Sequence, residues 1–437
     1  MSIKKSLIKN TGFNLAGYFY LLVASFFSVS ILLNNLGRDV FGVYIFMVSF
    51  ISLSAVFDFG ISNAVVRKLS LPGISAEEKV KTWKTSFAVF IFLAFVLFVI
   101  LIALLQYLSR IMPIFALLDR NTINISTMIL ATIVFINHLN IHFLSLPQAE
   151  QRFDIFNSKT LLVGSANTII SALVSGFYPH LAVLFLVQLI FHLLTFGYMI
   201  FYTRKQFTGM NFIPYYDKET GKDLFSYGLR NFIGTLAGQI ESQFSNFVLG
   251  AMVSARAITA FSIPQSIVTK GAGVISQFAQ VFFPLSTSLL EKDRIKKLRT
   301  LVFAVEGFTL MCGIVAVILA FTVGQPFLLW WLKDPVVVQT AFPVLKILSF
   351  YFLLVSLTPV PTALIQGLNK PQIPSMFAVI TVVVEIIASL ILVPKLGIFG
   401  VAYAFLLGVI VSVPSFLSVS WIIFSKEVNR LGDSDVK

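Results

Sequence analysis

The sequence predicts an all-α integral membrane protein with about twelve transmembrane helices. Three observations carry this. Hydrophobic residues make up 57 % of the 437 residues and charged residues only 12 %, whereas soluble domains are about a quarter charged. Apolar runs of at least about 18 residues recur from end to end. The breaks between them carry loop chemistry: Leu36-Gly37-Arg38-Asp39, Leu71-Pro72-Gly73, Pro179, Asn369-Lys370-Pro371 and Pro394-Lys395. The expected spans are 11–35, 40–62, 84–108, 123–146, 156–177, 180–203, 225–251, 258–287, 299–322, 342–367, 373–393 and 398–424. The 46 Phe and 12 Tyr suit lipid contact and interfaces.

The first apolar stretch follows MSIKKSLIKN and is too long, and too marked by Asn and Tyr, for a cleavable signal. It reads as the first transmembrane helix. Asn14, Tyr18, Ser25 and Ser28 fall within roughly 80° of one another on it. Such a stripe serves either as helix–helix glue or as a wall of a hydrated cavity. The second span ends near Asp58, with Arg67 and Lys68 beyond it. In the fourth, His138 and His142 are one helical turn apart. With no Cys or acid nearby they read as part of a polar patch with Asn137 and Asn140, and no metal is expected. The fifth and sixth spans are separated at Pro179.

The seventh span pairs Arg230 with Glu241, eleven residues on and within about 20° of it around the helix. Glu241 then lies about 16 Å deeper, near the midplane. In the eighth, Lys270 and Gln277 share a face, with Gly273 beside them. A charge in the bilayer costs roughly 2.5–3.5 kcal/mol on insertion scales, so it persists only if paired, hydrated or used. Glu241 and Lys270 therefore form a structural pair across adjacent helices, or else Lys270 and Arg230 bind an anionic group that Glu241 tunes. Glu306 lies about two turns inside the ninth span, with loop cations nearby, and Cys312 is a small apolar-stretch residue. Lys346, in the tenth span, is near the outer end and positioned to snorkel. Glu385 is deep in the eleventh, without an obvious partner. The twelfth span completes an even number.

Orientation follows from Lys and Arg. With the N-terminus inside, 23 of the 32 lie on the cytoplasmic side, 6 outside and 3 within spans. Both termini are therefore expected in the cytoplasm. The net charge of +13 reads as basic loops held against anionic lipid, not as nucleic-acid binding. The longest cytoplasmic break follows span six, which predicts two six-helix halves, 1–210 and 211–437, with a binding site between such repeats. The sequence has no GxxxxGK[ST], no HExxH, no carboxylate cluster and no loop large enough for a glycosyltransferase site. A voltage-sensor Arg series and a filter motif are also missing. A secondary transporter is what is left, with no cofactor.

The residues also resemble a family. Leu7-Ile8-Lys9-Asn10-Thr11, then Leu36-Gly37-Arg38-Asp39-Val40-Phe41-Gly42-Val43-Tyr44 and Phe57-Asp58-Phe59-Gly60-Ile61, are similar to the N-terminal pattern of polysaccharide flippases. These are the O-antigen and teichoic-acid type exporters of the multidrug/oligosaccharidyl-lipid/polysaccharide superfamily. Gln366-Gly367-Leu368-Asn369-Lys370-Pro371 and Pro394-Lys395-Leu396-Gly397-Ile398-Phe399-Gly400 resemble its C-terminal pattern. The resemblance implies two six-helix bundles forming a V around a central cavity, in the cytoplasmic membrane of a bacterium or archaeon. It assigns Asn14, Tyr18, Ser25, Asp58, Arg230, Glu241 and Lys270 to that cavity. It implies a polyprenyl-pyrophosphate-linked oligosaccharide as substrate, with other polysaccharide-assembly proteins as partners. Lys270, Arg230 and Gln277 are then the pyrophosphate candidates, and Asp58, Glu241 and Glu385 the coupling acids. Glu241 stands where the family often has Asp, and Glu385 where Asn is common. A cation-coupled multidrug exporter of the same superfamily is the alternative, and a membrane glycosyltransferase or polymerase a third.

Overall fold

The structure, a computed structural model, describes residues 3–207, 212–279 and 295–433. The side chains of Asn14 and Arg230 lie outside that description. By its contacts the chain forms two units, Met1–Gln239 and Ile240–Lys437. The first holds α1 (Ile3–Ser54), α2 (Ile61–Leu69), α3 (Ala76–Ile111), α4 (Arg120–Ala149), α5 (Phe153–Ser165), α6 (Ser171–Ser175) and α7 (Leu181–Gln206). Helix α8 (Lys218–Met252) carries the division within it. The second unit continues with α9 (Ala255–Ala279), α10 (Ile295–Thr322), α11 (Gly324–Leu332), α12 (Pro335–Val355), α13 (Pro359–Gly367), α14 (Gln372–Leu396) and α15 (Ile398–Asp433).

Eight helices among the described residues are long and apolar enough to cross a membrane. One of them covers two expected spans, because α1 does not stop at the Leu36-Gly37 break but bends there. Gly37 adopts φ 78°, ψ 165°, a conformation that an L side chain resists. Three further spans fall below that apolarity or length for visible reasons. A π-turn at Ala166–Ile170 divides 153–175 into α5 and α6. Helix α8 carries Lys218, Glu219, Lys222, Asp223, Arg230 and Glu241, and α9 carries Arg256, Gln265, Lys270 and Gln277. The twelve expected segments are thus largely helical where they are described, with turns at Phe59–Gly60 inside the second and at Ser356–Thr358 inside the tenth.

In the first unit α4 is the central helix, packed by α3, α7 and α2. Its membrane window is the most buried of the eight and also the least apolar, because its hydroxyl, amide and imidazole side chains are turned into the protein and away from lipid. Trp83 stacks with Phe87 at 5.0 Å and meets His142 at 4.7 Å. Phe90 lies 5.4 Å from His138 and 5.3 Å from His142. The two histidines therefore sit in an aromatic core, not in the polar patch expected from the sequence. Of the expected companions, Asn140 is buried and donates to the His192 carbonyl at 3.2 Å. No group of three His, Cys, Asp or Glu able to hold a metal occurs among the described residues.

Two contacts fix the start of α8 in this unit. Phe59 and Gly60 form a left-handed turn (φ 50° and 73°) between a 3₁₀ turn, Ala55–Asp58, and α2. Asp58 closes that turn: it accepts from the Gly60 N–H at 2.6 Å and from the Ser62 hydroxyl. The turn lies directly on α8, since a Cβ on Gly60 would fall 2.5 Å from the Gly228 carbonyl oxygen, and one on Gly228 2.6 Å from that of Phe59. The segment before α8 is pinned to α3. Asp217 accepts from the Thr220 hydroxyl and N–H at 2.7 and 2.9 Å and pairs with Lys81 at 3.0 Å, while its own N–H donates to Thr85.

In the second unit α12 is central, packed by α9, α10 and α15. Helices α14 and α15 form the most extensive helix pair and turn back sharply at Gly397. A Cβ on Gly400 would lie 2.6 Å from the Leu392 carbonyl carbon, so the two backbones nearly touch. Small residues permit such approach in a membrane, where lipid is as apolar as the helices themselves.

Two predictions follow from these contacts. Gly228→Val forces α8 off the Gly60 turn and costs about 1–3 kcal/mol, seen as a lower melting temperature in detergent. Gly307→Ala, where nothing lies within 4 Å of the added Cβ, leaves it unchanged. The second concerns pH. The Thr220 hydrogen bonds, and then the Lys81 ammonium, bring the Asp217 carboxyl down to about 2. A depressed acid stabilises the fold above its unfolded value of about 3.9 and loses that contribution as pH falls through its folded value. The melting-temperature difference between wild type and Asp217→Asn is therefore constant from pH 7 to 5 and shrinks only as pH falls towards 2.

Candidate functional site

The second unit holds a buried polar cluster. Tyr351 on α12 is buried and donates its hydroxyl to Glu241 Oε1 of α8 at 2.7 Å. Glu385 of α14 is 1 % exposed, and its Oε1 has no hydrogen-bond partner among the described residues. It lies within electrostatic reach of both Glu241 and Tyr351. Gly408 of α15 makes room for it: a Cβ there would fall 2.6 Å from Glu385 Cγ and 3.1 Å from its Oε1. One turn to either side, α14 presents Thr381, which donates to Ser412 at 2.7 Å, and Ser389, whose buried hydroxyl has no hydrogen-bond partner among the described residues. Ser245 of α8 donates to Gln265 of α9 at 3.1 Å. The cluster thus holds two acids, a phenol and several hydroxyls on four helices. An ionised carboxylate in such a place is tolerated only with a proton, a cation or strong donors.

The other expected residues are placed as follows. Lys270 is half-buried on α9, next to Gly271, where a Cβ would meet a Phe352 ring carbon of α12 at 3.0 Å. Gln277 is half-buried two turns further along α9. In the first unit, Tyr18 and Ser25 are half-buried on α1, and Ser25 donates back to its own helix at the Leu22 carbonyl, 2.8 Å. The neighbouring face of α1 packs on α5. Tyr20 bonds Ser165 at 3.0 Å, and a Cβ on Gly164 would meet Leu21 at 2.6 Å. Asp58 spends both carboxylate oxygens on its own turn. The structure therefore joins Glu241 to Tyr351, leaves Glu385 buried within electrostatic reach of both, and places Asp58 in a separate unit. Arg230 and Asn14 are on α8 and α1, with side chains outside the described residues.

A family profile described as "Polysaccharide biosynthesis protein" matches residues 7–290, about two thirds of the chain. The chain belongs to the polysaccharide biosynthesis protein family. The "Putative O-antigen transporter" of Shigella flexneri is 22 % identical over 412 residues, covering 93 % of this chain and 95 % of that protein. An uncharacterized membrane protein of Methanocaldococcus jannaschii is 23 % identical over 446 residues, with 93 % and 82 % covered. Among solved structures, the lipid II flippase MurJ in an inward closed conformation aligns with a TM-score of 0.73 at 17 % identity, covering 96 % of this chain and 90 % of that one. An inward-facing multidrug resistance transporter of the MATE family aligns at 0.70 and 15 % identity, covering 98 % and 96 %. This family member shares the fold of both solved structures, and it is a multi-pass membrane protein.

Sequence reasoning passed over Tyr351, Thr381, Ser389 and Gly408. One signal was present: Thr381, Glu385 and Ser389 recur at i, i+4 and i+8, a polar stripe on an otherwise apolar helix. Tyr351 gave none, because tyrosine is common at membrane interfaces. A double-mutant cycle on Tyr351→Phe and Glu241→Gln tests the cluster. A coupling energy of about 1 kcal/mol in detergent unfolding is the expected result, and Tyr403→Phe with Glu241→Gln shows none.

Proposed function

We propose that this protein is a secondary transporter that flips a polyprenyl-pyrophosphate-linked oligosaccharide across the cytoplasmic membrane by alternating access. The observation that supports it is the family match over residues 7–290, a range that contains Arg230, Lys270 and Gln277. The named relatives, an O-antigen transporter and a lipid II flippase, point to the same substrate class. In this reading the two bundles, 1–210 and 211–437, rock about a hydrated cavity. Both termini lie in the cytoplasm in this reading, which the excess of 23 cations over 6 supports.

Chemistry assigns the roles. A pyrophosphate needs more than one cation, and Lys270 and Arg230 supply them, with Gln277 as a neutral donor. Asn14, Tyr18 and Ser25 offer sugar hydroxyls hydrogen bonds while the polyprenyl chain stays in lipid. Energy comes from an ion gradient or the membrane potential, since no ATP site is encoded. Of the candidate acids, Glu241, held by the Tyr351 hydroxyl, and the buried Glu385 make the stronger pair, with Asp58 as a third. No bond in the substrate is made or broken, so the protein is not an enzyme. Other polysaccharide-assembly proteins supply and consume the substrate.

Flipping of a fluorescent lipid-linked glycan in reconstituted vesicles tests this. Lys270→Ala and Arg230→Ala each lower the rate at least about tenfold, the loss of one charge-assisted contact. Unchanged transport in both sinks the anion-binding role. Glu385→Gln removes the response to an imposed gradient while substrate binding persists. Drug export is the second reading, favoured by the acid pair in the second unit, and a drug-resistance assay on expressing cells separates the two.

A further inference from the structure

Lys346 has no place in that scheme, yet it lies inside a membrane helix. Its Nζ is 4.6 Å from the Phe342 ring centroid and 5.5 Å from that of Phe321. Among the described residues no carboxylate lies within ion-pair distance of it. An intramembrane cation held by aromatic faces keeps its full charge with no anion to neutralise it.

The lysine opens onto a groove of about 630 Å³ lined by Phe321, Pro343, Ile347, Phe350, Phe399 and Tyr403 among others. Of the lining residues Lys346 alone is charged, and apart from it and Tyr403 the walls are apolar. The depth of the groove follows from the helix ends. Phe321 is one residue from the end of α10, Leu396 is the last of α14, and Phe399 is the second of α15. Lys346 therefore lies level with the ends of these neighbours, the level at which a boundary between headgroups and acyl chains is expected.

We propose that this groove is a binding site for an anionic bilayer phospholipid of the phosphatidylglycerol type. Its phosphodiester sits on Lys346 Nζ and an acyl chain lies along Phe321, Ile347 and Phe350. Charge selects the occupant. One ammonium neutralises one negative charge, which is what a phosphodiester carries. A zwitterionic lipid brings its own cation to the same phosphate and gains less from Lys346. A pyrophosphate carries more charge than one lysine can offset. The site is independent of the substrate path proposed above, since it uses none of the same residues.

Native mass spectrometry on the full-length protein in detergent tests this, with phosphatidylglycerol and phosphatidylcholine of matched chains added in turn. The wild type binds phosphatidylglycerol about tenfold more tightly. Lys346→Met loses that preference and Lys346→Arg keeps it. A phosphatidylglycerol bearing an acyl-chain diazirine, photolysed on the wild type alone, labels peptides containing 343–350 or 399–406. Equal binding of the two lipids to the wild type, as for a lysine that merely snorkels to water, overturns the proposal. So does a preference untouched by Lys346→Met, labelling elsewhere in the chain, or displacement of phosphatidylglycerol by an equal concentration of polyprenyl phosphate.

Discussion

Backbone meeting backbone is the constraint on which the rest of this structure depends. Lipid gives helices no hydrophobic reason to associate, so contact must come from dispersion and fit. Here the fit is set where a Cβ has no room. Gly60 and Gly228 bring the α2 turn onto α8, Gly164 admits Leu21 between α1 and α5, and Gly400 closes the α14–α15 pair. Gly408 belongs to the same series, but the group it admits is a carboxyl side chain. Packing and chemistry are thus the same problem at Glu385: the helix pair closes only because a glycine yields the volume that the acid fills.

The two units spend their buried polarity differently. In the first, His138 and His142 are enclosed by Trp83, Phe87 and Phe90, and Asp58 serves the turn that carries α2. These polar atoms support architecture. In the second, Glu241, Tyr351 and Glu385 converge from three helices, and hydroxyls of α14 stand one turn away on either side. Such a cluster is expensive to bury unless a proton or cation completes it. That asymmetry is what supports the proposed coupling role of the second unit's acids.

Much of the fold was legible in the sequence. The twelve segments, their breaks and their family pattern were visible in apolar runs and in Gly, Pro and Asn punctuation. The break at Leu36-Gly37 was read as a loop and is a bend, because one glycine at positive φ redirects a helix without ending it. The site was legible in part. Glu241 and Lys270 stand out as charges in apolar stretches. Their neighbours do not, since Tyr351 is 110 residues from Glu241 and no periodicity links residues on different helices. Glu385 had no visible partner for the same reason.

The sequence by itself determined that this is a helical membrane protein of a known family, because hydropathy and residue order are local properties of the chain. It also marked which residues are costly in a bilayer. Only the tertiary structure decided what each of them meets: a turn for Asp58, a phenol for Glu241, the space beside Gly408 for Glu385, two phenylalanine rings for Lys346. The physical reason is that burial is a property of one residue, whereas compensation belongs to a pair, and the pairs form only when distant helices close.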